Sequence, residues 1–226
     1  MNNNGAKLIT AFEEDSPFAE AYRVLRFNLL PQNGERLWSV GVTSVAPGHG
    51  STTTATNLAL IAAESGSRIV LVDADLHKPS LHSHFGISND IGLTTVLRGE
   101  ISPERALRSV GERPTLRLMP AGPTVRNPSA LLQPAGLKKI LDGLREFVDL
   151  LIVDLPSVGA VAYTSFLATL LDGLLLVVRA GTSPVSADRI VKHRLQGVNV
   201  LGMVLNQAPM QASETPSHRQ YVNPKV

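Results

Sequence analysis

A doubly wound, mostly parallel α/β sheet with helices on both faces is the architecture this sequence predicts, and three observations carry the prediction. Runs rich in Val, Ile and Leu recur at residues 37–45, 68–73, 116–119, 149–154, 173–178 and 199–206. Several are apolar on consecutive positions, as strands covered on both faces must be, and parallel sheets are the ones so covered. Segments with helical patterning separate them, which is the α/β alternation.

In chain order the helical segments fall at residues 19–30, 53–64, 131–147 and 186–195, with short pieces at 79–85 and 93–97, and Ser186 is placed to cap the last long one. A length of 226 residues fits one domain, and 43% hydrophobic residues with 18 Gly and 15 Pro can form a core. From Gln207 onward the chain is polar and interrupted by Pro, without period. The expected organisation is a flexible segment over 1–15, an ordered domain over 16–206 and a mobile tail over 207–226.

Composition narrows the function classes. The absence of Cys removes disulfides, thiolate zinc sites and cysteine nucleophiles, and agrees with a reducing compartment, so the cytoplasm is expected. The formal charge is only +2 and no block of five or six like charges occurs, so no nucleic-acid partner is expected. The start of the chain lacks the basic-then-apolar plan of a secretory signal. The uncharged stretch between Asp154 and Asp172 is too short and polar to span a bilayer, so membrane association requires a partner.

Chemistry concentrates in three places. The stretch from Val42 to Ala59 sets Gly48 and Gly50 between a buried strand and a helix whose first turn is rich in hydroxyls, the setting of a phosphate-binding loop. Glycine lets backbone N–H groups face an anion without Cβ obstruction. Taken alone, the stretch also fits a plain strand-to-helix turn with Ser and Thr as caps. Two further strands end in acids, Asp73 and Asp75 after residues 69–72, and Asp154 after residues 150–153. Each acid alone fits a solvated turn or a helix cap. Together they converge at the carboxyl ends of a parallel sheet, where ligands bind, and their hard oxygens suit Mg²⁺.

The combination Pro47-Gly-His-Gly-Ser-Thr-Thr53, Val72-Asp-Ala-Asp-Leu-His-Lys-Pro79 and Ile152-Val-Asp-Leu-Pro156 resembles the bacterial tyrosine kinase domain of capsular and exopolysaccharide synthesis systems, a P-loop NTPase fold. The resemblance spans about Ser16 to Asn206. It includes Glu20, Arg23 and Arg26 in a Glu-x-x-Arg-x-x-Arg segment, Ala121-Gly-Pro123 before Asn127-Pro128, Val178-Arg-Ala-Gly181 and Val204-Leu-Asn206. The Glu-x-x-Arg-x-x-Arg segment separates the chain from cell-division and plasmid-partition ATPases.

That resemblance implies ATP and Mg²⁺ as cofactors. It implies that Gly48, His49, Gly50, Ser51, Thr52, Thr53 and Asn206 bind nucleotide, with Asn206 near the adenine. Thr52, Asp73 and Asp154 would hold the metal, and Asp73, Asp75 and Asp154 would carry catalysis. It further implies a homo-oligomeric ring with Glu20, Arg23 and Arg26 at the subunit contact, although their spacing also fits a solvated helix stripe. A membrane polysaccharide co-polymerase or chain-length regulator is the implied partner, holding the protein at the inner face of the membrane.

Three departures bear on activity. Ser51 stands where the family has the P-loop Lys, and losing a charged partner at a desolvated phosphate costs on the order of 2 to 5 kcal/mol. His49 stands where Glu is common and is a poor replacement, while Lys78 and Arg179 are the nearby candidates to supply a cation. Tyr163 stands where relatives often carry an Asp after the late acidic strand, and the tail offers a single acceptor, Tyr221. The expected function is tyrosine autophosphorylation weakened by Ser51. The alternatives are a degenerate scaffold on the co-polymerase and a partition-type ATPase switch.

Overall fold

Every apolar run marked as a strand is one. The computed structural model describes residues 16–29 and 37–209, and its strands are β1 (Ser39–Ser44), β2 (Ile69–Asp73), β3 (Arg108–Val110), β4 (Arg113–Met119), β5 (Leu150–Asp154), β6 (Gly173–Arg179) and β7 (Val200–Asn206). They form one seven-stranded sheet in the order β3-β4-β2-β5-β1-β6-β7. All neighbours are parallel except β3, which runs antiparallel to β4.

The helices are α1 (Pro17–Asn28), α2 (Ser51–Glu64), α3 (Leu81–His84), α4 (Leu93–Leu97), α5 (Pro103–Ala106), α6 (Pro128–Leu131), α7 (Pro134–Leu144), α8 (Tyr163–Thr169) and α9 (Pro184–Arg194). Consecutive apolar residues in the strands serve two cores. Ile69 and Leu71 of β2 face a layer with Leu58, Ala59 and Ile61 of α2 and Ala19 and Tyr22 of α1. Val70 and Val72 face the opposite layer with Leu137, Ile140 and Leu144 of α7 and Leu167 of α8.

The structure corrects two sequence expectations and adds three short elements. The helix expected over 131–147 is two, because Pro134 lacks an N–H and its ring clashes with a preceding turn, so it begins α7 instead of continuing α6. Ser186 is not a cap: α9 starts at Pro184, with Ser183 in the N-cap position. The three-residue β3 and the short helices α5 and α8 carry too little apolar periodicity to stand out in the sequence. Of the expected mobile tail, only 207–209 are described, and the expected flexible segment 1–15 lies outside the described residues.

Candidate functional site

The strand order decides where chemistry can gather. β2, β5 and β1 are neighbours, so the loop after β1 and the acids ending β2 and β5 meet at one end of the sheet. That is the carboxyl end of the strands, beside the position where the chain changes direction between β1 and β6.

The loop from Val45 to Gly50 leads directly into α2, whose first N–H groups have no partner within the helix. Gly50 is the N-cap residue in the left-handed region at φ 93°, and Gly48 has φ 80°. A Cβ on Gly50 would collide with the side chain of Asn206. The outer side of the loop is tied to the ends of β6 and β7. Asn206 Nδ2 donates to the His49 carbonyl at 2.8 Å, and Gln207 Nε2 donates to the Gly48 carbonyl at 3.1 Å. The Arg179 N–H donates to His49 Nδ1 at 3.3 Å. Burial and then the Arg179 charge push the His49 pKa below its ordinary value, against the opposing pull of the Val177 carbonyl. A neutral imidazole is what that contact requires, since Nδ1 must accept.

On the helix side the hydroxyls divide their work. Thr54 and Thr56 bond back to the carbonyls of Gly50 and Thr52 at 2.9 and 2.8 Å. Ser51 Oγ meets Ser44 Oγ at 3.5 Å, and being a serine it brings a neutral hydroxyl, not a cation, to that position.

The acids face the loop from β2 and β5. Asp73 and Asp154 are register partners in adjacent strands, and both are almost wholly buried. Asp73 accepts from the N–H groups of Asp75, Ser80 and Leu81 at 3.2, 3.1 and 3.0 Å. Burial still raises its pKa to about 7, with the charge of Asp75 adding to the rise and the three N–H groups opposing it. Asp154 is the extreme case. Neither of its carboxylate oxygens has a partner in good hydrogen-bond geometry, although the Thr52 hydroxyl lies close enough to make a weak hydrogen bond that opposes the shift. Burial first, and then the negative charges of Asp73 and Asp75, hold its pKa well above the carboxylate range. Asp75 is half-buried and its Oδ1 accepts from the N–H groups of His77 and Lys78 at 3.1 and 3.0 Å.

The segment after β5 is fastened to β1, which holds Asp154 against the loop. Leu155 N–H donates to the Val42 carbonyl at 2.9 Å, Thr43 Oγ1 to the Pro156 carbonyl at 2.7 Å and Val158 N–H to the Ser44 carbonyl at 2.9 Å. The unpartnered Asp154 carboxylate, with Asp73 beside it and the Thr52 hydroxyl close by, is a donor set that fits a hard divalent cation.

The predicted residues Gly48, His49, Gly50, Ser51, Thr52, Thr53, Asp73, Asp75, Asp154 and Asn206 therefore lie around one crevice. Glu20, Arg23 and Arg26 lie apart from it on α1, where Glu20 and Arg23 pair at 3.3 Å and Arg26 lies 5.5 Å over the Phe27 ring. Tyr221 lies outside the described residues. Sequence reasoning missed His77, whose ring stacks on Tyr163 at 5.7 Å between centroids and 15° between planes. No spacing rule connects residues 77 and 163; only the fold does.

Comparison with known proteins agrees with this geometry. The CobQ/CobB/MinD/ParA nucleotide binding domain model matches residues 40–220. The chain is 34% identical over 211 residues to the tyrosine-protein kinase YwqD of Bacillus subtilis, covering 90% of this chain and 89% of that one. Among solved structures it is similar to the chimerical protein CapA2B2, with TM-score 0.83, 29% identity and 90% of each chain covered. It also resembles the kinase domain of Escherichia coli tyrosine kinase ETK, with TM-score 0.76, 28% identity and coverage of 85% of this chain and 78% of that one.

Proposed function

This chain belongs to the CobQ/CobB/MinD/ParA nucleotide-binding domain family and, within it, to the bacterial tyrosine-protein kinases, and from that membership we propose that it binds Mg²⁺ and ATP and transfers phosphate to tyrosine, at a rate lowered by Ser51. The observation that carries the proposal is Asp154, buried with both carboxylate oxygens unpartnered and in register with Asp73. An unpaired buried carboxylate is costly, and a cation relieves that cost. Thr52, Asp73 and Asp154 are the residues that would hold Mg²⁺, which when bound neutralises charge on the β- and γ-phosphates.

The chain's own groups supply the rest. The backbone of residues 48–53 cradles the phosphates, and Asn206 holds the loop from the side on which the base would lie. Asp75 is the carboxylate placed to orient the acceptor hydroxyl and take its proton, because Asp73 is engaged by three N–H groups. In this reading residues 16–206 are the functional unit and Tyr221, in the tail, is the acceptor. The protein serves capsule or exopolysaccharide synthesis as a ring of copies joined through Glu20, Arg23 and Arg26. A membrane polysaccharide co-polymerase keeps it at the inner face of the cell membrane; no helix among the described residues is long and apolar enough to cross one.

A second reading, a scaffold that has lost transfer, is favoured by Ser51 itself, whose hydroxyl leaves the phosphate cradle without its cation. Calorimetry with Mg²⁺ and ATP, beside intact-mass spectrometry, separates the two. Ser51→Lys should bind ATP tens to thousands of times more tightly than wild type, the equivalent of about 2 to 5 kcal/mol. Phosphate on Tyr221 in wild type supports the kinase, and phosphate only in Ser51→Lys supports the scaffold.

A further inference from the structure

We propose that His77 and Tyr163 form an aromatic shelf that reads the ring of the acceptor tyrosine and so sets the specificity of the site. The inference rests on the phosphoryl-transfer reading and deepens it. A carboxylate such as Asp75 can orient any hydroxyl, so selection of tyrosine over serine requires a surface that recognises the ring.

The shelf has the needed construction. Tyr163 opens α8, is only 7% exposed, and covers one face of the His77 imidazole in a near-parallel stack. His77 is exposed, so its second face is available to a third ring. The same turn carries the carboxylate: Asp75 Oδ1 accepts from the backbone N–H groups of His77 and Lys78, which holds the backbone of His77 beside Asp75, while the stack on Tyr163 holds its ring. A phenol laid on His77 would extend the stack at the usual aromatic spacing, with its hydroxyl beside Asp75. A serine or threonine would leave the imidazole bare. Tyr163 does not compete as a proton acceptor, since burial and the Asp75 charge keep its own hydroxyl neutral.

The occupant is the chain's own tail, taken from a second copy. Of the three tyrosines, Tyr22 and Tyr163 are each only 7% exposed, which leaves Tyr221. Residues 214–226 carry Arg219 and Lys225 against one acid, Glu214, and so complement a crevice holding Asp73, Asp75 and Asp154.

The test is a double-mutant cycle read by binding, which does not depend on catalysis. Full-length protein carrying Tyr221→Ala, so that its own tail does not compete, is titrated with synthetic peptides of residues 214–226. The peptides carry Tyr, Phe or Ala at 221, and the His77 ring protons are followed by NMR. The Tyr and Phe peptides should bind alike and move the His77 signals upfield, and the Ala peptide should bind about 3- to 10-fold more weakly without that shift. His77→Ala should weaken the Tyr peptide by the same factor and leave the Ala peptide unchanged, and His77→Phe should restore binding. Equal binding of the Tyr and Ala peptides, or a His77→Ala loss shared by both, overturns the shelf. Failure of wild type and Ser51→Lys alike to incorporate phosphate, with the cycle intact, would instead overturn the kinase reading alone.

Discussion

The two walls of the crevice are built on opposite terms. The outward groups of the loop wall are satisfied: the Gly48 and His49 carbonyls and the His49 ring all have partners, and Ser51 places a neutral hydroxyl where a cation would need neutralising. The acid wall keeps Asp73 and Asp154 side by side in the interior, with neither carboxylate oxygen of Asp154 in a well-formed hydrogen bond. Only the acid wall buries negative charge without a neutralising partner. A carboxylate pair that opposes folding when empty has a physical reason to persist if a cation binds it, so in the proposed reading the acids carry the cation binding and the loop, with Ser51, the weakened hold on phosphate.

The sharpest way to break this comparison is Asp154→Asn. An amide of the same shape removes the buried charge, so the ligand-free protein should melt at a higher temperature than wild type above neutral pH. The same change should abolish the thermal stabilisation by Mg²⁺ with ATP and lower phosphate incorporation by about 100-fold or more. Thermal melts with and without Mg²⁺, beside mass spectrometry, read all three. An unchanged Mg²⁺ response would move the cation site away from Asp154.

The next effect is a pH dependence of opposite sign to the usual acid denaturation. The folded pKa of Asp73 is raised from 3.8 to about 7, and that of Asp154 is likewise held well above the carboxylate range, by burial first. The folded state therefore holds protons that the unfolded state has released. Stability is fully present below about pH 4 and is lost as pH rises through about 7, by on the order of a few kcal/mol. Denaturant midpoints in EDTA should fall across that window. With Mg²⁺ and ATP the fall should flatten, because a bound cation favours the ionised acids; a profile identical in both buffers would break the assignment of the cost to the acid wall.

How much of each wall was legible in the sequence follows from the range of its interactions. The acids announced themselves because a buried strand ending in Asp is a local pattern, and parallel topology brings such ends together. The loop announced itself through Gly48 and Gly50 beside a run of hydroxyls. What holds the loop did not: His49 meets Arg179 and Asn206 across more than a hundred residues, and His77 meets Tyr163 only because α8 folds over the β2 end. Neither contact has a spacing that a sequence can display. In β3, three residues with mixed exposure left no periodicity to read.

A smaller effect tests the loop wall. Gly50→Ala must hold a left-handed φ of 93° and displace the Asn206 side chain that bonds to the His49 carbonyl. The expected loss is about 1 to 3 kcal/mol of stability, measured by urea denaturation, together with weaker ATP binding. Gly48→Ala meets no atom and should lose less, from its φ of 80° alone. Equal losses would show that the Asn206 contact does not hold the loop.

The smallest effect on folding belongs to α1, which lies outside both walls. Glu20 and Arg23 form a partly exposed pair three residues apart at 3.3 Å, an interaction that contributes about 0.5 kcal/mol or less. Glu20→Gln should leave the denaturation midpoint almost unchanged. Reversal of Arg23 and Arg26 to Glu should likewise leave a folded monomer, because the buried residues of α1 are Ala19 and Tyr22. The same reversal should lower the mass seen by light scattering if this face joins neighbouring copies, since it replaces two cations with anions beside Glu20. A reversal that unfolds the protein would make α1 a part of the core, and one that leaves the mass of an oligomeric wild type unchanged would place the subunit contact elsewhere.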